Sequence, residues 1–313
     1  MSESNKRNFI VHGSILAIAG ILVRIIGMLY RIPVVNIIGS EGNGIYGAAF
    51  NIYNIMLVLS SYGLPMAVSK LVSARFTKRR YKSAAKVLRC SLMVAVCTGA
   101  LLVFFGASFI ENVIYGGGLP GLAIPLRILA PTIFLVAILG VIRGFFQGQS
   151  TMIPTAVSQI LEQIVNAIVS IAAGYVMMKA FASSPDVAAY GAAGSTLGTA
   201  MGALTAVLFM GFLYAVYTPT FNRLKRKDRH TENQSTGQIC KIIIYTMIPI
   251  ILGQTFYQIS ALIDDVMFSN IMVGRDITKS ISMDLGNFSS SYSLLIGIPQ
   301  GVASAMSASM LPS

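Results

Sequence analysis

Apolar stretches alternate with short polar or basic segments from one end of the chain to the other. Most of them reach the roughly 20 residues that a helix needs to cross the ~30 Å hydrocarbon core of a bilayer. The pattern predicts helical spans at residues 13–38, 45–68, 87–110, 122–146, 155–178, 190–217, 242–272 and 285–311. Turn-forming residues punctuate them: Gly39-Ser40-Glu41-Gly42-Asn43-Gly44 after the first, Gly116-Gly117-Gly118 after the third, Ser183-Ser184-Pro185-Asp186 after the fifth. Gly63-Leu64-Pro65 breaks the second span near its end, and residues 70–89 form a basic connector that fits an amphipathic helix at the interface. The fold class expected is an all-α polytopic membrane protein with about eight transmembrane helices.

Charge within these spans is rare, yet the first span carries both Arg24 and Arg31. Seven residues at about 100° each is nearly two turns, so the two arginines share a face, with Ala17, Gly20 and Gly27 filling the gaps. An arginine near mid-span costs a few kcal/mol or more in lipid, so this face is expected to line a protein interior or a wet cavity. A second polar stripe, Gln159, Glu162, Gln163 and Asn166, runs along the fifth span. It either faces the same cavity or is occupied internally, Glu162 pairing with an arginine such as Arg143. Gly194, Gly198 and Gly202 recur at four-residue spacing on the sixth span, a ridge suited to close helix packing.

An internal repeat extends the picture. Gly63-Leu64-Pro65-Met66-Ala67-Val68-Ser69 recurs as Gly297-Ile298-Pro299-Gln300-Gly301-Val302-Ala303, 234 residues later. The same offset carries Gly20, Arg24, Gly27 and Arg31 onto Gln254, Gln258, Ala261 and Asp265, one face of the seventh span. Same-orientation repeats about an axis along the membrane normal are a common transporter plan, with substrate held between the halves. Residues 1–241 are therefore expected to form a complete six-helix first lobe with basic connectors. Residues 242–313 supply the first two helices of a repeat-related second lobe, which reads as truncated at Ser313.

Composition agrees. The chain is 55% hydrophobic and only 11% charged, with mean hydropathy +0.72, whereas soluble domains carry about 25% charged residues. The net charge of +12 need not mean nucleic acid, because the cations are segregated. They concentrate in the N-terminal segment and in connectors 70–89 and 223–241, while the alternate loops hold few. That bias places the N-terminus in the cytoplasm, in a cell-membrane protein whose connectors meet an anionic inner leaflet. The first span is expected to be retained rather than cleaved. Cys90, Cys97 and Cys240 are expected as free thiols, and His12 and His230 are too isolated to imply a metal. With no tryptophan, the interfacial belts would rest on Tyr30, Tyr62, Tyr115, Tyr190 and Tyr217.

Several of these stretches carry a family resemblance: Arg24-Ile25-Ile26-Gly27-Met28-Leu29-Tyr30-Arg31, the Gly63-Leu64-Pro65 helix end, Ser158-Gln159-Ile160-Leu161-Glu162-Gln163, and residues 297–313. Together they resemble the N-terminal part of the stage V sporulation protein B and MurJ-type flippases, within the multidrug/oligosaccharidyl-lipid/polysaccharide exporter superfamily. The resemblance implies two lobes around a central cavity and alternating-access export of a lipid-linked saccharide, with no enzymatic chemistry and no cofactor. It implies that Arg24 and Arg31 hold the substrate diphosphate, a compact anion that guanidinium groups match with forked hydrogen bonds. Gln159, Glu162, Gln254 and Gln258 complete the expected binding set. Asp264 and Asp265 would serve ion coupling, by Na⁺ or H⁺, or neutralise Arg31. The substrate expected is a polyprenyl-diphosphate-linked saccharide, such as lipid II or a polysaccharide or spore-cortex precursor. Two other readings stand beside it: a cation-coupled multidrug exporter, which prefers acidic cavities, and a membrane-embedded glycosyltransferase or polymerase, which needs clustered acidic residues in its loops.

Overall fold

The computed structural model describes residues 3–58, 63–104, 121–228, 234–273 and 281–288, apart from some side chains within them, those of Ala17, Gln258 and Asp265 included. The described residues form helices α1 (Glu3–Leu57), α2 (Gly63–Thr77), α3 (Tyr81–Phe104), α4 (Ala123–Gln147), α5 (Ile153–Ala180), α6 (Val187–Lys227), α7 (Thr236–Val273) and α8 (Ile281–Phe288), with no strand among them. Five stretches of them are long and apolar enough to cross a membrane: Ile18–Leu57, Ala123–Gln147, Ile153–Ala180, Val187–Lys227 and Thr236–Phe256. The Gly116-Gly117-Gly118 loop, most of the eighth expected span and the Gly297 repeat lie outside the described residues.

The first two expected spans meet within α1. Gly39, at φ 72° and ψ 177°, is the one non-helical residue in this stretch, in a conformation that residues with a Cβ rarely adopt. The bend is sharp, because the Arg31 guanidinium lies 5.6 Å from the centre of the Tyr46 ring. A straight helix would set those residues roughly 22 Å apart along its axis. The predicted six-residue turn is thus contracted to a single glycine hinge between two helical arms.

The basic connector differs from its expected form. It is not a separate interfacial helix but the end of α2 and the start of α3, joined by a tight turn in which Arg79 has a φ of 54°. Arg75 ties this turn down by donating to Ser83 Oγ (2.8 Å), the Leu71 carbonyl (3.1 Å) and Gln234 Oε1 (3.1 Å). One fixed cation satisfies three acceptors, which holds the backbone more firmly than lipid contact would. At ~1.5 Å per residue α6 is about 60 Å long, twice the hydrocarbon thickness, so it carries Arg223, Lys225, Arg226 and Lys227 clear of the apolar zone.

Two apolar clusters hold the helices together. One, toward the basic connectors, gathers Leu64, Val68 and Val72 of α2, Val87 and Leu88 of α3, Leu139 and Phe145 of α4, Met210 and Phe221 of α6, and Ile239 and Ile243 of α7. Phe76, Phe145 and Phe221 interlock there, with ring centroids 5.3–6.3 Å apart. Tyr217 also packs into this aromatic group. The other cluster joins Val34, Ile38, Ala49 and Tyr53 of α1 to Leu126 and Leu129 of α4, Ala189 and Ala192 of α6, and Ile281 and Leu285 of α8. Between α5 and α6 the glycine ridge does what its spacing suggests. A Cβ at Gly194, Gly198 or Gly202 would fall 2.5–2.6 Å from the backbone carbonyl of Ala173, Asn166 or Glu162 respectively.

Candidate functional site

The polar stripes of α1 and α5 face each other. Gly27 provides the contact: a Cβ there would sit 3.1 Å from the Gln163 side-chain nitrogen. One turn further on, Asn166 Nδ2 reaches the Tyr30 hydroxyl at 3.4 Å, and the buried Asn166 Oδ1 accepts from Ser170 Oγ at 2.9 Å. Tyr30 is therefore turned toward α5, which offers its hydroxyl a partner.

Among the described residues, no carboxylate neutralises the arginines of this face. Arg24 is exposed and Arg31 half-buried, and neither is ion-paired with a carboxylate among the described residues. Arg31 lies over the face of Tyr46, an arrangement that favours a cation, while its buried Nε lacks a hydrogen-bond partner among the described residues. Tyr46, Phe50 and Tyr53 extend the wall as an aromatic ladder, with centroids 4.7 and 5.5 Å apart. Their i, i+4, i+7 spacing could have flagged this ladder, which reasoning from the sequence passed over.

Arg143 behaves in the opposite way. Its Nη2 donates to Glu162 Oε2 at 2.7 Å and its Nε to Ser158 Oγ at 2.9 Å, with side-chain exposures of 13% for Arg143 and 26% for Glu162. Ser158 Oγ donates in turn to the Thr155 carbonyl at 2.8 Å, so its lone pairs are left for Arg143. Of the two roles weighed for Glu162, the internal one is the one seen. Gln159 is half-buried on the same helix.

The candidate residues of α7 gather less completely. Gln254 on α7 is half-buried and Asp264 is exposed, while the Gln258 and Asp265 side chains lie outside the described residues. The last turns of α7 nonetheless reach α1's neighbourhood, since Val266, Phe268 and Met272 pack against the cluster that contains Val34 and Ile38. Chemically, the α1–α5 face offers two guanidinium groups, with no carboxylate partner among the described residues, beside amide and phenol groups. Such a set favours an anionic ligand rich in oxygen.

Comparison with known proteins agrees in kind. The family model described as "Polysaccharide biosynthesis protein" matches residues 10–313. Lipid II flippase MurJ of Bacillus subtilis is 34% identical over 176 residues, covering 53% of this chain and 32% of that protein. Stage V sporulation protein B of the same organism is 26% identical over 313 residues, covering 98% and 58%. The chain thus spans about a third of one relative and under three fifths of the other. Among solved structures, an inward-facing multidrug resistance MATE family transporter of the MOP superfamily superposes with a TM-score of 0.67 at 17% identity, over 93% of this chain and 60% of that one. A MOP superfamily transporter from Pyrococcus furiosus, described as having a binding pocket of reverse polarity, gives 0.65 at 16%, over 97% and 68%. At such identities these likenesses establish the fold.

Proposed function

The chain belongs to the polysaccharide biosynthesis protein family, and from that premise we propose that it forms part of a flippase for a polyprenyl-diphosphate-linked saccharide. The observation that carries the reading is a contrast within one bundle. Arg143 is neutralised by Glu162, whereas Arg24, exposed, and Arg31, half-buried, share the face of α1 that meets α5 and have no carboxylate partner among the described residues. Charge left uncompensated in a membrane span is expensive, so it is kept where a ligand supplies the counter-charge. A diphosphate does so with several acceptor oxygens, while the saccharide hydroxyls suit Gln159, Gln163 and Asn166 and the polyprenyl tail stays in lipid. The relative described as a lipid II flippase supports this substrate class.

In this reading the protein sits in the cytoplasmic membrane with its basic connectors inside, and the two lobes expose the arginine face alternately to either side. Gln254 and Gln258 approach from the second lobe, and Asp264 and Asp265 compensate charge or bind a coupling cation when the site is empty. The test uses the full-length protein in liposomes with a fluorescent undecaprenyl-diphosphate saccharide on one leaflet and, separately, a cationic dye inside. Movement of the lipid without efflux of the dye supports the proposal. Dye efflux without lipid movement overturns it in favour of a drug exporter.

A further inference from the structure

A cavity of about 460 Å³ opens at the basic end of the bundle, apart from the arginine face, lined by Lys82, Lys86, Arg89, Met93, Lys225 and Thr236 among others. Its lining holds four cations and no carboxylate. Lys86 Nζ bonds only the Gln234 carbonyl, and Lys225 Nζ lies 5.1 Å above the Phe221 ring, so neither cation meets an anion among the described residues. The nearby Asp228 carboxylate is turned to the backbone N–H of Lys82, at 2.9 Å.

The order of residues along α3 identifies the ligand. Lys82, Lys86, Arg89, Met93 and Val96 lie on one stripe, at i, i+4, i+7, i+11 and i+14. At ~1.5 Å per residue the cations occupy about 10 Å at the basic end, and the apolar pair continues about 6–10 Å deeper. Met93 and Val96 are 58% and 42% exposed, so the stripe is open at acyl-chain depth as well as at headgroup depth. A free anion would fill the first part and leave the second bare. We infer that this cavity binds the phosphate of an anionic membrane lipid whose acyl chains lie along Met93 and Val96. Basic pockets between helices at the membrane surface are suited to such headgroups. The far wall comes from Lys225 of α6 and Thr236, the first residue of α7, so the bound lipid bridges the first-lobe helices and the helix that opens the second.

The full-length protein is delipidated in detergent and titrated with phosphatidylglycerol, with bound lipid counted by native mass spectrometry. Each surface cation contributes about fivefold in affinity, so Lys86→Gln with Arg89→Gln should weaken binding about 25-fold. Lys70→Gln with Lys78→Gln removes the same charge outside the cavity lining and should weaken binding clearly less, because water and salt screen charges that do not touch the headgroup. Arg89→Lys keeps the charge and should bind like the parent, and if the pocket double variant melts early, Arg89→Gln alone carries the comparison. Millimolar inorganic phosphate should not displace the lipid, and phosphatidylethanolamine should not replace it. Equal weakening by the two double variants, or full displacement by phosphate, overturns the assignment.

Discussion

Removing Glu162 should injure the protein more than removing the whole Arg143–Glu162 pair. The pair is close, at 2.7 Å, and mostly shielded, at 13% and 26% side-chain exposure. Breaking a buried ion pair from one side costs about 3–5 kcal/mol, because the other charge is stranded. Partial exposure of Glu162 argues for the lower end, so Glu162→Leu is expected to cost about 3 kcal/mol. Arg143 would keep only Ser158 Oγ, and a guanidinium cannot shed its charge by losing a proton. Replacing both residues by leucine removes the charge and its desolvation together, and should leave stability within about 1 kcal/mol of the parent. On the scale of roughly 2–4 °C per kcal/mol for domains of 150–250 residues, the single variant should melt about 6–12 °C lower in detergent, with the double variant recovering most of that. If Glu162→Leu melted with the parent, or the double variant fell as far as the single one, the pair would not hold α4 to α5 as described.

The helix contacts give two further expectations. Gly198→Val should prevent close α5–α6 packing and lower the yield of folded protein sharply, since even a Cβ meets the Asn166 carbonyl at 2.6 Å; Gly211→Ala, with nothing within 4 Å, should melt within about 2 °C of the parent. At the α1–α8 contact, Asn43 Nδ2 donates to the Gly286 carbonyl at 2.8 Å, and a Cβ at Gly44 would run into the Ser282 backbone. Gly44→Val should therefore separate α8 from α1 and speed proteolysis after residue 273, whereas unchanged cleavage would show that the contact is dispensable.

Much of the architecture was legible because it rests on spacing. The glycine ridge of α6 sits on α5 as its four-residue period implies, and the α1 and α5 stripes do meet, at Gly27 and Gln163. Arg143 as a partner for Glu162 was legible only as one of two options. The choice depends on how α4 is rotated against α5, which neither helix's own pattern specifies. The bend at Gly39 was anticipated as a longer turn, because six turn-forming residues in a row conceal the fact that only the first leaves the helix. Connector 70–89 was misjudged for a related reason. Its cations suggest a surface helix, but Arg75 spends one of its hydrogen bonds on Gln234, a distant partner that no local pattern reveals. Tyrosine's amphipathic character fits a membrane surface as well as a polar or aromatic interior, so the contacts of Tyr30 with Asn166 and of Tyr217 with Phe146 are not legible in the sequence.

The most direct test of the central claim is the affinity of the full-length protein for an undecaprenyl-diphosphate saccharide, compared among the parent, Arg24→Ala and Arg31→Ala. Each lost guanidinium forfeits charge-assisted hydrogen bonds worth about 1.5–3 kcal/mol, so binding should weaken by about 10- to 100-fold in either variant. The Arg24→Ala melting temperature should hold, because Arg24 is exposed, whereas Arg31→Ala loses its stacking on Tyr46 and should cost about 0.5–2 kcal/mol. Parent-like affinity in both variants, with folding intact, would contradict the assignment of this face to the diphosphate.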